Sequence, residues 1–161
     1  MGPPHALTLR SAGAGKYGEA AGSSTHEACI DCPPGKYSDG SAVADCIGCG
    51  AGKYGEAPGS TSSEVCINCA PGKYVEATGS NQISDCVNCG AGKYVRSTGS
   101  DQASDCADCA AGKWSGLTGR TSVLACIDCD VGKYSSAPGG ISVATVARRG
   151  AVKRPSHSYS K

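Results

Sequence analysis

The chemistry this chain could do rests on its cysteines. Twelve of them form six Cys-x-x-Cys pairs: Cys29/Cys32, Cys46/Cys49, Cys66/Cys69, Cys86/Cys89, Cys106/Cys109 and Cys126/Cys129. The first members of successive pairs stand 17, 20, 20, 20 and 20 residues apart. Paired thiols at such spacing can do three things: form disulfides, hold zinc in four-cysteine sites, or run thiol–disulfide exchange. Redox catalysis needs an exposed, acidic thiol at a helix N-terminus in a βαβ setting, and nothing here builds that setting. Six equivalent copies point to structure instead. Hydrolytic chemistry lacks its parts: His5, His26 and His157 are scattered, and His26 reads as an exposed residue of a return segment. No catalytic residue, cofactor or metal site is expected.

The elements that position the cysteines must come from a repeat. A fixed period marks an array built from one small unit. Gly-Lys-Tyr recurs at 15–17, 35–37, 52–54, 72–74, 92–94 and 132–134, and becomes Gly-Lys-Trp at 112–114. A second Gly turn follows at Gly22, Gly40, Gly59, Gly79, Gly99, Gly119 and Gly139. Each unit thus has a turn, a short segment carrying an aromatic, a second turn, and a return segment ending in Cys. That pattern suggests a small β-hairpin, which is marginal in water by itself.

Composition agrees that the units need staples. Leu, Ile, Val and Phe number 4, 6, 10 and 0 among 161 residues. That is far below the roughly 20% needed to bury an ordering core. The expected fold is small and disulfide-rich: an elongated tandem array of short β-hairpins with little regular secondary structure and no single hydrophobic core. Repeats in such arrays contact only their neighbours. The aromatics Tyr37, Tyr54, Tyr74, Tyr94, Trp114 and Tyr134 are expected to pack on a neighbouring disulfide or the next unit, rather than form a ladder for sugars or peptides. The lysines before them, Lys16 through Lys133, read as a solvated row rather than a polyanion stripe, because acidic residues dilute them.

Three segments follow: 1–11, expected to be disordered; 12–140, the tandem repeats of about 20 residues; and 141–161, an expected disordered basic tail. Residues 11–140 hold 9 Lys and Arg against 14 Asp and Glu, whereas 141–161 hold Arg148, Arg149, Lys153, Arg154 and Lys161 with no acid. Five charges among Ser, Pro and Gly describe a solvated tail, so no nucleic-acid partner is expected. No apolar run approaches the ~20 residues of a membrane helix, so no direct membrane insertion is expected. The opening residues Met1 to Leu9 lack a leader's basic region and apolar stretch, Ala6 breaks the myristoylation pattern, and no Asn-x-Ser/Thr site occurs.

The pattern Cys-x-x-Gly-Lys-Tyr…Gly-Ser…Cys-x-x-Cys over residues 12–140 resembles the ephrin-receptor-like cysteine-rich repeat of extracellular and cell-surface proteins. Cys32-Pro-Pro-Gly-Lys-Tyr…Cys46 also resembles the first half of a tumour-necrosis-factor-receptor cysteine-rich module. The resemblance implies that the Cys before Gly-x-Tyr bonds the Cys closing the same hairpin: Cys32–Cys46, Cys49–Cys66, Cys69–Cys86, Cys89–Cys106 and Cys109–Cys126. Each such bond is worth roughly 3 kcal/mol in the chain-entropy model. Cys29 and Cys129 are left unpaired. Ala12 stands where a partner for Cys29 would be, and Val146 and Arg149 stand where Cys66 and Cys69 recur one unit on from Ala137-Pro-Gly. The array therefore reads as cut at both ends, a fragment of a larger protein.

The resemblance implies a non-catalytic extracellular or cell-surface module, a spacer or interaction scaffold whose partner is an unknown protein or none. The alternative is an intracellular zinc protein: Cys46-Ile-Gly-Cys49-Gly and Cys86-Val-Asn-Cys89-Gly have the form of zinc knuckles. With so little core, the disulfide reading predicts that reductant alone collapses the near-ultraviolet dichroism of the whole array. A reduced, metal-free chain that kept its dichroism would refute it.

Overall fold

In the computed structural model the residues described are 13–18, 29–40, 45–135 and 137–145. Seven two-stranded antiparallel hairpins follow one another. They are β1 (Lys16–Gly18) with β2 (Cys29–Asp31), β3 (Lys36–Tyr37) with β4 (Ile47–Gly48), and β5 (Lys53–Tyr54) with β6 (Ile67–Asn68). Then come β7 (Lys73–Tyr74) with β8 (Val87–Asn88), β9 (Lys93–Tyr94) with β10 (Ala107–Asp108), β11 (Lys113–Trp114) with β12 (Ile127–Asp128), and β13 (Lys133–Tyr134) with β14 (Ala144–Thr145). The small disulfide-rich array that periodicity predicts is the fold observed.

Each hairpin is entered through a type II turn. Lys36 N–H donates to Pro33 O at 3.1 Å around Pro34-Gly35, and Gly35 has φ +84°. Proline at the second position and glycine at the third are what this turn demands. The return strand differs from expectation. It is not the segment before the closing cysteine but the dipeptide between the two cysteines of the next pair, so Tyr54 faces Ile67 and Tyr74 faces Val87. The segment before the closing cysteine is instead a single 3-10 turn, at Ser63–Val65, Ile83–Asp85, Ala103–Asp105 and Val123–Ala125. Short polar side chains hold these turns. Ser62 Oγ accepts from Glu64 N–H, and Asp85 Oδ2 accepts from Asn81 and Gln82 N–H.

The core is distributed in small clusters that join one unit to the next. Tyr54 packs with Val75 and the buried Cys69 and Cys86 of the following unit. Tyr74 packs in turn on Cys89, Cys106 and Val95. Aromatics therefore cover the next unit's disulfide, but most are only half-buried. The deeper position is the residue after the aromatic: Ser38, Gly55, Val75, Val95 and Ser115 are all buried.

Backbone hydrogen bonds join unit to unit. Between units 69–88 and 89–108, Gly72 N–H donates to Val95 O, Val75 N–H to Ser100 O, Gly99 N–H to Cys69 O and Cys89 N–H to Gly72 O, at 2.8 to 3.2 Å. The same four bonds recur at the other interfaces from unit 32–48 onward. Each satisfied pair removes backbone groups that would otherwise need water.

Contacts reach beyond the neighbour, contrary to the nearest-neighbour expectation. A methyl group on Gly52 (φ +79°) would overlap the carbonyl oxygen of Gly99, two units on. Gly15, Gly35, Gly72 and Gly92 meet Gly59, Gly79, Gly119 and Gly139 in the same way. The first turn of one unit thus nests directly under the second turn of the unit after next.

The described part of 141–161 continues the pairing: β14 lies past the boundary at residue 140. Tyr134 faces Ala144 across the same interval as Tyr37 faces Ile47 in the short 32–48 unit. Residues 1–12, His5, His26 and the basic cluster from Arg148 lie outside the described residues.

Gly52→Ala is expected to lower stability by about 2 kcal/mol or more, because left-handed backbone and steric overlap act together. Gly50→Ala, which opens onto free space, is expected to change it by less than about 0.5 kcal/mol. Thermal unfolding measures both. Hydrogen exchange on Gly52→Ala should show lost protection around Gly99, and loss confined to residues 49–88 would count against the next-but-one contact.

Candidate interaction surface

The structure bonds Cys32 to Cys46, Cys49 to Cys66, Cys69 to Cys86, Cys89 to Cys106 and Cys109 to Cys126. The two cysteines of a pair such as Cys66/Cys69 thus serve different bridges, one closing a unit and the other opening the next. Cys32, Cys49, Cys69, Cys89 and Cys109 are fully buried. The zinc alternative finds no support in this arrangement. Its thiolates are engaged in disulfides, and the described residues contain no group of three or more His, Cys, Asp or Glu able to hold a metal.

Cys29 and Cys129 are free thiols, both half-buried. The register explains Cys129. In the short unit the closing Cys46 immediately precedes Ile47, and the residue in that place before Ala144 is Val143. The missing partner therefore falls at Val143 rather than at Val146. For Cys29 the corresponding position is Ala12, outside the described residues.

With the sulfurs committed to structure, the surface is what remains. The cross-strand register sets an aromatic opposite an aliphatic residue in successive units: Tyr17–Ile30, Tyr37–Ile47, Tyr54–Ile67, Tyr74–Val87, Tyr94–Ala107 and Trp114–Ile127. Such pairs stabilise two-stranded sheets. Yet Ile30, Ile47, Ile67, Val87 and Ile127 remain 43% to 56% exposed. The aliphatic member of each pair is what these units offer solvent, while its aromatic partner is half-buried or, at Tyr54, buried. At Tyr74 and Val87 the pair borders a shallow groove of about 560 Å³, completed by the second turn from Glu76 to Asn81 and by Asp85.

Beside the aromatics the lysines are less free than a solvated row suggests. Lys16, Lys93 and Lys113 each reach the carboxylate directly across the hairpin, Asp31, Asp108 and Asp128, at 2.6 Å. Lys36 and Lys133 pair with Asp45 and Asp130, and Lys73 Nζ donates to Cys86 O at 3.2 Å. The pairs are exposed and add little stability, but they cancel most of the charge a polyanion would need. Residues between cysteines therefore do two jobs missed from sequence: the first carries the apolar stripe, and the second, where it is Asp31, Asp108 or Asp128, neutralises the lysine. The signal was the recurring Ile/Val followed by Asp/Asn between the cysteines.

Carboxylates also brace adjacent units. Glu56 Oε1 accepts from Ile83 N–H, and Glu76 Oε1 accepts from Ala103 N–H at 3.1 Å. The equivalent residue in the next unit is Arg96, which cannot accept and instead lies over the Tyr94 ring, 5.8 Å from its centre.

Alkylation of the folded protein without reductant is expected to label Cys29 and Cys129 alone. Peptide mapping should recover Cys69 linked to Cys86 and Cys89 linked to Cys106. Recovery of Cys86 linked to Cys89 as the main species would refute the pairing.

Among curated proteins nothing matches this chain. Residues 18–66 match the family model described as tyrosine-protein kinase ephrin type A/B receptor-like, a stretch that spans the first two disulfides. Residues 18–66 are thus similar to the ephrin-receptor-like cysteine-rich repeat, and from Cys69 to Cys126 the same spacing and pairing recur.

Proposed function

We propose that this chain is a non-catalytic extracellular or cell-surface module whose stapled units serve as a scaffold for protein interaction, with spacing as its second role. One observation carries the reading: ten of twelve cysteines are committed to disulfides within units, while Ile30, Ile47, Ile67, Val87 and Ile127 stay exposed on the return strands of five hairpins. Structural disulfides at this density belong to oxidising compartments, and a chain with this little core depends on them. Among the described residues no helix is long and apolar enough to cross a membrane. The family match supports the same setting. No nucleic-acid partner is proposed, since the lysines of the array are largely neutralised by neighbouring carboxylates.

The test compares two routes of expression. Routed through an oxidising secretory pathway behind an added leader, the chain is expected to emerge soluble, with five disulfides and resistance to protease. Made in a reducing cytosol, it is expected to be protease-sensitive. A cytosolic product that is folded and carries zinc would overturn the reading. Labelled, oxidised protein is then applied to cultured cells. Saturable, trypsin-sensitive binding supports interaction, and no binding to any cell type leaves spacing as the role.

A further inference from the structure

One unit departs from its neighbours in a single direction. In unit 69–88 the groove is bordered by Tyr74, Glu76, Ala77, Ser80, Asp85 and Val87. Two repeat periods on, 40 residues later, the same places hold Trp114, Gly116, Leu117, Arg120, Ala125 and Ile127. Two carboxylates are gone, the aromatic and aliphatic side chains are larger, and a cation has entered. Leu117 and Ile127 are 60% and 56% exposed, and Leu124 of the same unit is 90% exposed. Monomers rarely leave such apolar clusters uncovered without use.

These exchanges cost the unit internal bonds. Glu76 braces Ala103 of the following unit, and Asp85 caps its own 3-10 turn. Gly116 and Ala125 can do neither. Instead Gly116 makes room for the indole: a Cβ there would lie 3.4 Å from the Trp114 ring. Charge changes with shape. Units 49–68, 69–88 and 89–108 each carry a net −1, and unit 109–128 carries +1. Lys113 is already paired with Asp128, so the unpaired gain is Arg120, with Arg96 in the preceding unit.

Resting on the interaction reading above, we propose that unit 109–128 is the contact unit, and that its exposed face takes an acidic protein segment bearing Leu or aromatic side chains. Trp114, Leu117 and Ile127 receive the apolar side chains, and Arg120 meets the carboxylates. Arg and Trp are the residues that most often dominate interface energy. With Gly116 and Ala125 where Glu76 and Asp85 stand in unit 69–88, this face lacks the repulsion an acidic segment would meet there.

The test uses the full oxidised chain and fluorescent twelve-residue peptides with Leu or Phe at alternate positions, separated by Glu in one set and by Lys in a matched set. Peptides of the Glu set are expected to bind measurably by anisotropy, more weakly as salt rises, and the Lys set not at all. The variant Trp114→Tyr/Leu117→Ala/Arg120→Ser gives the unit residues its neighbours tolerate, so it is expected to fold, with unchanged dichroism and disulfides, and to lose at least tenfold in affinity. Changing Val87→Ala in unit 69–88 is expected to leave affinity within twofold. Equal binding of both sets, no binding of either, unaltered affinity in the triple variant, or preferential binding of dextran sulfate would overturn the proposal. If the triple variant keeps cell-surface binding while no peptide binds, the assignment to unit 109–128 fails and the interaction reading stands. If neither is seen, both fail.

Discussion

Everything in this chain depends on how the disulfides are shared out. Because the two cysteines of each inner pair, from Cys46/Cys49 to Cys106/Cys109, belong to different bridges, the dipeptide between them is held at both ends by covalent links to different loops. It has little choice but an extended conformation, and it becomes the return strand of the hairpin behind it. A two-residue strand would not persist through hydrogen bonding alone. Each bridge contributes roughly 3 kcal/mol by restricting the unfolded chain, and across five bridges that replaces the apolar core that twenty Leu, Ile and Val residues cannot form.

This arrangement accounts for the surface as well. With only two residues in a strand, one must face outward with the aromatic's partner role and the other must face the lysine. Hence an Ile, Val or Ala followed by Asp, Asn or Gly stands between the cysteines from Ile30-Asp31 to Ile127-Asp128. The apolar stripe and the neutralised lysines are two outcomes of the same constraint. Unit 109–128 keeps the constraint and alters what surrounds it, so its distinct face is added to the scaffold without disturbing it.

The period of the cysteines made the hairpins, the turns and the absence of a common core legible before any coordinates. The turns were legible because Pro34-Gly35 and its equivalents state their geometry directly. Three things were not. The return strand was misplaced because the cysteine was read as a terminus, when it is a hinge between a 3-10 turn and a strand. The burial of Ser38, Val75 and Ser115 was hidden because residue type there varies, and only their small size is shared. The nesting of Gly52 against Gly99 was invisible because glycine leaves the same trace whether it supplies a turn or a close approach, and here it does both.

That nesting changes what counts as a complete unit of stability. If each unit touched only the next, two units would contain every kind of contact the array can make. Because the first turn of one unit closes against the second turn of the unit after next, a pair of units always lacks one layer of packing, and the smallest self-sufficient piece has three. A unit therefore has its full packing only where two units stand on either side of it. Cooperativity in this chain therefore has a longer range than its covalent staples, which never cross from one unit to another.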